Sequence, residues 1–379
     1  MSHIPTKLEV AAGLPLPAAQ TLAGRFLVQP HSTLASDQEY ARVMQDLHFG
    51  VDFSDYMASS VWTSDRGWAD KELVPFGPLT LSPAASVLHY GQEVFEGLKA
   101  YRREDGSIWT FRPRFNAERF NHSARRLALP ELPVEDFIAS IVDLVAADGR
   151  WVPKQEGASL YLRPFMFASE PFLGVKPAHE ITYLLIASPV GPYFAKGFGP
   201  VSIYVTREYH RAGLGGTGDA KTSGNYAASL LPQQIAYDQG YEQVCFLDSA
   251  TSTNVDELGG MNVFVVYRDG VVRTPKLTGA ILEGGTRSAI IQICEDKGIV
   301  VEESSINFDQ LLEDIRAGVV TEVFACGTAA VITPVGKLGG DFGEVTLELG
   351  QVTRDLYDTL TGIQWGTVED THNWCYRIA

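Results

Sequence analysis

The chain has 379 residues, of which 45% are hydrophobic and 20% charged, enough for a sizeable core and roughly two or three domains. Its formal net charge of −16 argues against a basic nucleic-acid-binding surface. No apolar run approaches the ~20 residues of a membrane-spanning helix. The four cysteines are widely spaced and show no zinc-binding pattern. We therefore expect a cytoplasmic protein that binds no membrane, nucleic acid or metal.

The first third of the chain predicts a loose start followed by strands and a helix. Residues 1–24 are rich in Ala and Pro and lack a signal-peptide pattern, so we expect a loosely held arm. Residues 86–101 predict a strand, a glycine turn and a second strand. A helix follows, with Asn116 as its expected N-cap. Arg119 lies mostly off the apolar face of this helix, where a solvated side chain and a functional one are both open interpretations.

A second alternating strand covers residues 160–166 and carries one arginine, Arg163. This arginine could face water on an edge strand, or it could face a site. Pro and Gly are then dense enough in residues 189–194 to suggest a linker. We predict an N-terminal domain over residues 1–188, a linker over 189–200 and a larger C-terminal domain over 201–379.

The most unusual stretch covers residues 213–226, where five glycines surround one lysine, Lys221. A phosphate-binding loop would need Gly before this lysine, but Ala220 is there. A dinucleotide fingerprint matches three of the glycines, yet it does not open the first helix of a βαβ unit. A third interpretation is a lysine that forms a Schiff base with an aldehyde cofactor. A solvated lysine on a surface loop also stays open.

Three later segments carry candidate binding groups. Glu257 follows another carboxylate directly before a buried strand. Gly285 and Thr286 open a helix, whose N–H groups can bind an anion. Gly327 and the two residues after it form a turn of small residues at the end of a strand. Each segment also has a purely structural interpretation: a solvated acidic pair at Glu257, a simple helix cap at Thr286, and an ordinary β-turn after Gly327.

Four of these segments occur together, and in the same order, in one protein family. Residues 90–101 read Y-G-Q-E-V-F-E-G-L-K-A-Y, and residues 215–226 read G-G-T-G-D-A-K-T-S-G-N-Y. They are followed by E-L-G-G-M-N at residues 257–262 and by G-T-A at residues 327–329. Over residues 49–374 the chain resembles the branched-chain amino-acid aminotransferases, which are fold-type IV pyridoxal-phosphate enzymes. The resemblance implies an α/β (α+β) fold of two domains, with the cofactor at the domain junction, and a homodimer.

The resemblance also implies roles for the cofactor-binding residues. Lys221 would form the Schiff base with pyridoxal 5'-phosphate and act as the catalytic residue that moves a proton. Tyr226 would contact the 3' oxygen of the cofactor ring, and Glu257 would contact the ring nitrogen. The phosphate would be held by Arg119, Gly285, Thr286 and Thr328.

For the substrate, the resemblance implies a pocket that accepts both apolar and acidic side chains. Tyr90 and Phe95 would line its apolar part, and Arg163 would accept the side-chain carboxylate of glutamate. Tyr193 would lie on a mobile loop, and the G-T-A turn would bind the α-carboxylate. The family's usual Thr is Gly260 here. The complete set of substrate residues is Phe49, Tyr90, Phe95, Tyr161, Arg163, Tyr193, Gly327, Thr328 and Ala329.

The implied reaction is reversible transfer of the amino group of L-leucine, L-isoleucine or L-valine to 2-oxoglutarate. The partners are therefore small molecules: branched-chain amino acids, glutamate and 2-oxo acids. The same fold also hosts D-amino-acid aminotransferases and aminodeoxychorismate lyases, which are the alternatives within the fold. A nucleotide-binding protein that uses the glycine loop is the alternative from another class.

Overall fold

The computed structural model describes residues 3–30, 34–191 and 198–379. The chain divides into two compact units. The first consists of Thr6–Tyr193 and Ile363–Ala379, and the second of Met1–Pro5 and Phe194–Gly362. Each contains a large β-sheet and helices, so the predicted mixed α/β class is confirmed. Within the described residues, no helix combines the length and apolar character that a membrane span requires.

The helices and strands of the described residues are numbered in chain order. The helices are α1 Lys7–Ala12, α2 Ala19–Leu22, α3 Asp37–Gln45, α4 Val87–Tyr90, α5 Pro113–Arg126, α6 Val134–Asp148, α7 Ser223–Ala227, α8 Leu230–Asp238, α9 Gly285–Asp296, α10 Phe308–Arg316 and α11 Gln351–Trp365. The strands are β1 Leu27–Val28, β2 Tyr56–Thr63, β3 Gly67–Pro75, β4 Glu93–Phe95, β5 Leu98–Arg102, β6 Ile108–Phe111, β7 Ser159–Ala168, β8 Glu180–Val190, β9 Val201–Thr206, β10 Gln243–Leu247, β11 Val255–Leu258, β12 Asn262–Tyr267, β13 Val272–Pro275, β14 Val301–Ser304, β15 Val320–Gly327, β16 Val331–Gly340, β17 Gly343–Thr346 and β18 Cys375–Arg377.

The first unit is built on a sheet with the order β1-β3-β2-β8-β7-β5-β6-β18, and β4 pairs with β7. One face of the sheet packs on α5 and α6, where Phe120, Phe137 and Tyr183 are fully buried. Because side chains alternate along a strand, the odd-numbered residues of β7 from Tyr161 to Phe167 lie on the other face. That second face therefore carries Tyr161 and Arg163.

The second unit is built on a sheet with the order β11-β10-β9-β16-β15-β12-β13-β14, and β17 pairs with β16. Helices α9 and α10 both pack against β15. The core includes apolar residues of β12 and β15 together with one face of α10. The glycine-rich lysine loop lies between β9 and α7, and β11 forms one edge of the sheet.

The predicted loose arm is wrong for the part of it that the structure describes. Thr6 and Glu9 form a reciprocal capping box that starts α1. Leu22 is almost fully buried in the core of the first unit. The carbonyl of Ala11 accepts a hydrogen bond from Arg114 at 2.9 Å. Local capping and apolar burial therefore fix a segment whose composition suggested a loosely held arm.

Two local predictions near the substrate motifs are also wrong. The first predicted strand of residues 86–101 is instead the single helical turn α4, which Gly91 ends in a left-handed conformation with φ of 57°. Helix α5 begins at Pro113, so Asn116 lies inside it rather than at its N-cap. Proline is well suited to the first helical position because its fixed φ matches the helix and its missing N–H is not needed there.

The unit boundaries differ from the predicted ones at two places. Strand β8 continues through Val190, so the predicted linker over 189–200 overlaps a strand. Residues 363–379 were predicted to belong with the C-terminal domain, but they belong to the first unit. The physical reason is that β18 pairs antiparallel with β6, and Trp365 packs edge-on against Tyr101. Such long-range strand pairing leaves no signal in local composition.

Candidate active site

Lys221 is half-buried, and its Nζ donates a hydrogen bond to the hydroxyl of Tyr226 at 2.8 Å. The loop that presents the lysine is fixed by the buried side chain of Asn225. The amide Nδ2 of Asn225 donates to the carbonyls of Thr217 at 2.7 Å and Ala220 at 2.8 Å. The short helix α7 begins at Ser223, two residues after the lysine, and carries both Asn225 and Tyr226.

Two glycines of the site, Gly218 in the lysine loop and Gly260 between β11 and β12, lie very close to neighbouring atoms. A Cβ at Gly218 would collide with the backbone of Ala280. A Cβ at Gly260 would lie 3.2 Å from the ring carbon Cε1 of Tyr226. The glycine at position 260, where the family pattern has Thr, thus lies directly against the tyrosine that contacts the lysine.

Glu257 is 1% exposed and lies on the edge strand β11. Its Oε1 accepts a hydrogen bond from Nδ2 of Asn262 at 3.1 Å. Its Oε2 lies 2.7 Å from Nε of Arg211, but the two groups are not aligned as a hydrogen bond. Burial raises the pKa of Glu257 to about 7, while the positive charges of Arg211 and Lys221 oppose that rise. The site therefore holds a buried carboxylate with one oxygen still able to accept a hydrogen bond.

Gly285 and Thr286 occupy the first two positions of the twelve-residue helix α9, as the sequence predicted. The N-cap residue, Gly284, supplies no side-chain hydrogen bond to the helix start. A Cβ at Gly284 would collide with the Oδ1 atom of Asn262, so the helix start lies beside the asparagine that binds Glu257. The first N–H groups and the helix dipole together favour an anion at this end.

Gly327 ends β15, and Thr328, Ala329 and Ala330 form the turn to β16. Because β15 pairs with β12, this turn lies beside the start of β12, directly after the loop that follows Glu257. Val331, the first residue of β16, has φ of 60°. A β-branched residue is strained in this left-handed region. Such strain is concentrated at functional sites in proteins.

Arg119 lies in the first unit, and its phosphate-binding role stays a prediction. It is 4% exposed and forms a two-pronged ion pair with Glu96, with Nε–Oε1 at 2.7 Å and Nη2–Oε2 at 2.9 Å. Nδ2 of Asn116 donates to the same carboxylate at 2.8 Å. The solvated-face interpretation of Arg119 is therefore wrong, since the side chain is buried and fixed by a carboxylate.

Four of the predicted substrate residues form one cluster on the second face of the first unit's sheet. Nη2 of Arg163 donates to the hydroxyl of Tyr161 at 2.9 Å. The guanidinium of Arg163 lies 4.7 Å from the ring centre of Phe95. The ring of Phe49 packs edge-on against Tyr161, with centroids 4.9 Å apart. The arginine thus contacts two aromatic rings, and Phe49 packs behind one of them, a setting that can contact both an apolar chain and a carboxylate.

The structure does not place two other predicted substrate residues in this cluster. Tyr90 is 43% exposed, and its hydroxyl donates to the carbonyl of Leu173. No described contact joins Tyr90 to the Arg163 cluster. Tyr193 lies outside the described residues.

Comparison with known proteins gives a consistent family assignment. The family model for amino-transferase class IV matches residues 93–338. A probable branched-chain-amino-acid aminotransferase of Streptomyces coelicolor is 52% identical over 356 residues, covering 93% of this chain and 98% of its own. This chain belongs to the branched-chain aminotransferases of class IV.

Solved structures of branched-chain aminotransferases have the same fold. The enzyme from the archaeon Thermoproteus uzoniensis, solved with norvaline, matches with a TM-score of 0.71 and 29% identity, covering 85% of this chain and 100% of its own. The T.th. enzyme, complexed with N-(5'-phosphopyridoxyl)-L-glutamate, matches with a TM-score of 0.68 and 27% identity, covering 85% and 99%. The predicted resemblance and fold type are therefore confirmed.

Two buried cations of this aminotransferase were missed by the sequence analysis. Lys99 on β5 is opposite Tyr161 on β7, and burial lowers the pKa of its amine to about 8. Arg211 precedes the glycine loop and contacts Glu257. The burial of Lys99 could have been predicted, because this lysine interrupts the apolar run of β5. The burial of Arg211 had no local signal in the sequence, because its partner Glu257 lies 46 residues further along the chain.

Proposed function

We propose that this chain is a pyridoxal-phosphate-dependent transaminase. It would exchange the amino group of L-leucine, L-isoleucine or L-valine with 2-oxoglutarate. The observation that carries the proposal is the amine of Lys221, held at 2.8 Å by the Tyr226 hydroxyl in the same unit as the buried carboxylate of Glu257. The names of the relatives support it, as do the norvaline and phosphopyridoxyl-glutamate bound in the two solved enzymes.

The residues of the second unit fit pyridoxal phosphate. Oε2 of Glu257 is buried without an aligned donor, which suits a protonated ring nitrogen. The start of α9, at Gly285 and Thr286, suits a phosphate because the first N–H groups of a helix and its dipole favour an anion. Thr328 and Arg119 are the further phosphate ligands that we propose. When bound, the cofactor supplies an aldehyde for a lysine amine and a ring that accepts electrons from the substrate α-carbon.

Lys221 is the residue that we assign to proton transfer. Its amine would take the proton from the α-carbon of the amino acid, and the hydrogen bond to Tyr226 fixes the position of that amine. Asn225 keeps the lysine loop closed through its bonds to two carbonyls. Glu257, kept ionised, would hold the proton of the ring nitrogen.

The Arg163 cluster is our assignment for substrate recognition. Phe49 and Phe95 would contact an aliphatic side chain, and Arg163 with Tyr161 would bind the side-chain carboxylate of glutamate. The guanidinium offers a planar set of donors that matches a carboxylate. For the remaining positions we propose contacts to the substrate as the resemblance implies, with Tyr90 and Tyr193 at the side chain and Gly327, Thr328 and Ala329 at the α-carboxylate.

Trapping and product analysis test this function together. Borohydride reduction of the purified protein should fix a pyridoxyl group on the peptide that contains Lys221, as detected by peptide mapping. Incubation with L-leucine and 2-oxoglutarate should form glutamate, while D-alanine should form none. A label on another lysine, or amino transfer from D-alanine only, would contradict the proposal.

Two further proposals are a cytoplasmic location, from composition and the absence of a signal-peptide pattern, and a homodimer, from the resemblance. A homodimer has twice the 41.4 kDa mass of the chain, which light scattering in solution can measure. A monomer mass would contradict the second of these proposals.

A further inference from the structure

Arg211 connects three segments of the second unit that are distant in sequence. The residue is 5% exposed. Its Nη1 donates to the carbonyl of Gly218 in the lysine loop at 3.2 Å and to the carbonyl of Ala280 at 3.1 Å. Its Nε lies 2.7 Å from Oε2 of Glu257. One guanidinium thus contacts the lysine loop, the segment before α9 and the edge strand β11.

The charge of Arg211 acts directly on the ionisation of Glu257. Burial favours the neutral acid, and the adjacent carboxylate of Asp256 favours it further. Arg211 is the strongest opposing charge, Lys221 acts in the same direction, and Asn262 donates a hydrogen bond to Oε1. A guanidinium cannot be deprotonated in proteins, so its contribution is permanent. Removing one partner of a buried ion pair leaves an uncompensated charge, which favours protonation of the carboxyl.

The shape of the guanidinium matters as much as its charge. Nε lies beside the carboxylate as an ion pair, while Nη1 donates hydrogen bonds to the two carbonyls. An ammonium group has no such planar, fixed set of donors. Because Gly218 is packed against the backbone of Ala280, a shift of either carbonyl would also move the lysine loop.

We propose that Arg211 is a positioning residue that keeps Glu257 ionised and fixes the lysine loop relative to that carboxylate. The inference rests on the proposed role of Glu257 at the ring nitrogen of the cofactor. Arg211 itself would touch neither substrate nor cofactor in this role. It would act on the reaction through Glu257 and through the carbonyl of Gly218.

The test uses the full-length holoenzyme and four variants: Arg211→Met, Arg211→Lys, Glu257→Gln and the double variant Arg211→Met/Glu257→Gln. Two quantities are measured, the pH midpoint of the visible absorbance and the rate of cofactor release into buffer. Arg150→Met is the matched control, because Arg150 likewise contacts a buried carboxylate, Asp55, and a backbone carbonyl.

Arg211→Met should raise the pH midpoint and speed cofactor release about tenfold or more, since a protonated Glu257 no longer keeps a positive charge on the ring nitrogen. Arg211→Lys should keep the midpoint nearer the original value and still release cofactor faster, which keeps the test valid if the Met variant does not fold. In the Glu257→Gln background, Arg211→Met should change the midpoint little, because no carboxylate remains to be held.

Two results would overturn the inference, and they differ in what else they overturn. If Arg211→Met and Arg150→Met leave the midpoint equally unchanged while Glu257→Gln shifts it, Arg211 is only structural and the proposed function stands. If Glu257→Gln itself leaves the midpoint and the release rate unchanged, the assignment of Glu257 to the cofactor also fails.

Discussion

The amine of Lys221 and the hydroxyl of Tyr226 are joined by a 2.8 Å hydrogen bond, although their loop is rich in glycine. Helix α7 starts two residues after the lysine and carries Tyr226, and Asn225 of the same helix binds the carbonyl of Ala220 in the loop. The buried amide of Asn225 thus fixes a glycine-rich loop that would otherwise be flexible. This arrangement is the structural basis of the proposed proton transfer.

Replacement of the lysine tests its catalytic role. Lys221→Ala should reduce amino transfer by at least about 10²–10⁴-fold, the usual contribution of a positioned acid–base group. The loss should appear in single-turnover experiments with L-leucine. Lys297→Ala, at an exposed position after α9, is the control and should leave the rate unchanged. Equal rates for the two variants would exclude Lys221 from the reaction.

The contact between Gly260 and Tyr226 predicts a graded effect. Gly260→Ala places a Cβ 3.2 Å from the tyrosine ring, so the ring must move by a few tenths of an ångström. We expect a roughly twofold slower transfer, smaller than the roughly fivefold loss expected for Tyr226→Phe, which removes about 1 kcal/mol of hydrogen bonding. Gly77→Ala is the control, because its added Cβ meets no atom within 4 Å. Steady-state kcat measures all three, and a faster Gly260→Ala enzyme would contradict the prediction.

Replacement of Arg163 should lower the activity with glutamate much more than the activity with branched-chain amino acids. Arg163→Met removes the charge that we assign to the glutamate carboxylate but keeps an unbranched apolar side chain. Loss of a charged hydrogen bond of about 1.5–3 kcal/mol predicts a roughly 10–100-fold lower kcat/KM for glutamate. The value for L-leucine should change much less. Arg273→Met, at an exposed ion pair in the other unit, is the control. An equal loss for both amino acids would show that Arg163 supports the fold rather than substrate choice.

Asp148 predicts a pH dependence of stability in the first unit. It is 1% exposed, and burial raises the pKa of its carboxyl from 3.8 to about 6. The unfolded chain therefore binds fewer protons than the folded one between about pH 4 and pH 6. The stability contributed by the protonated form is lost as the pH rises through this window. A difference of about two pKa units corresponds to about 3 kcal/mol.

Asp148→Asn should remove most of this pH dependence, because the amide stays neutral and its oxygen can still accept the hydrogen bond from the N–H of Tyr56, now at 2.8 Å. The measurement is the urea midpoint at pH 5 and at pH 8 for both proteins. Asp46→Asn, whose side chain is 82% exposed, is the control. An unchanged difference between the two pH values in Asp148→Asn would show that another group is responsible.

The sequence predicted the fold class and the family because the motif residues are contiguous. The helix start at Gly285 and Thr286 and the Arg163 strand could both be placed from local patterns alone. The predictions of secondary structure and of domain boundaries were wrong where contacts between residues distant in sequence determine the structure. The strand at residues 375–377 pairs with a strand more than 260 residues earlier, and no local window contains both. The short turn α4 could not be told from a strand, because four residues do not show a period.

Within the candidate site, the chemistry of Lys221 and Glu257 could be read from the motifs, but the environment of Glu257 could not. Its burial and its contact with Arg211 depend on the packing of β11 against the segment before the lysine loop. The sequence analysis likewise kept a solvated side chain as one interpretation of Arg119, whereas in the structure this arginine forms a buried ion pair with Glu96. Buried charges are paired by residues distant in sequence, so spacing alone does not identify them.

The measurement that tests the central proposal most directly is the visible absorption spectrum of the purified protein, before and after addition of L-leucine or D-alanine. We predict a yellow protein whose visible band bleaches with L-leucine and persists with D-alanine. Bleaching with D-alanine only would keep the role of Lys221 and replace the substrate class. A protein without a visible band, even after addition of pyridoxal phosphate, would contradict the proposed function.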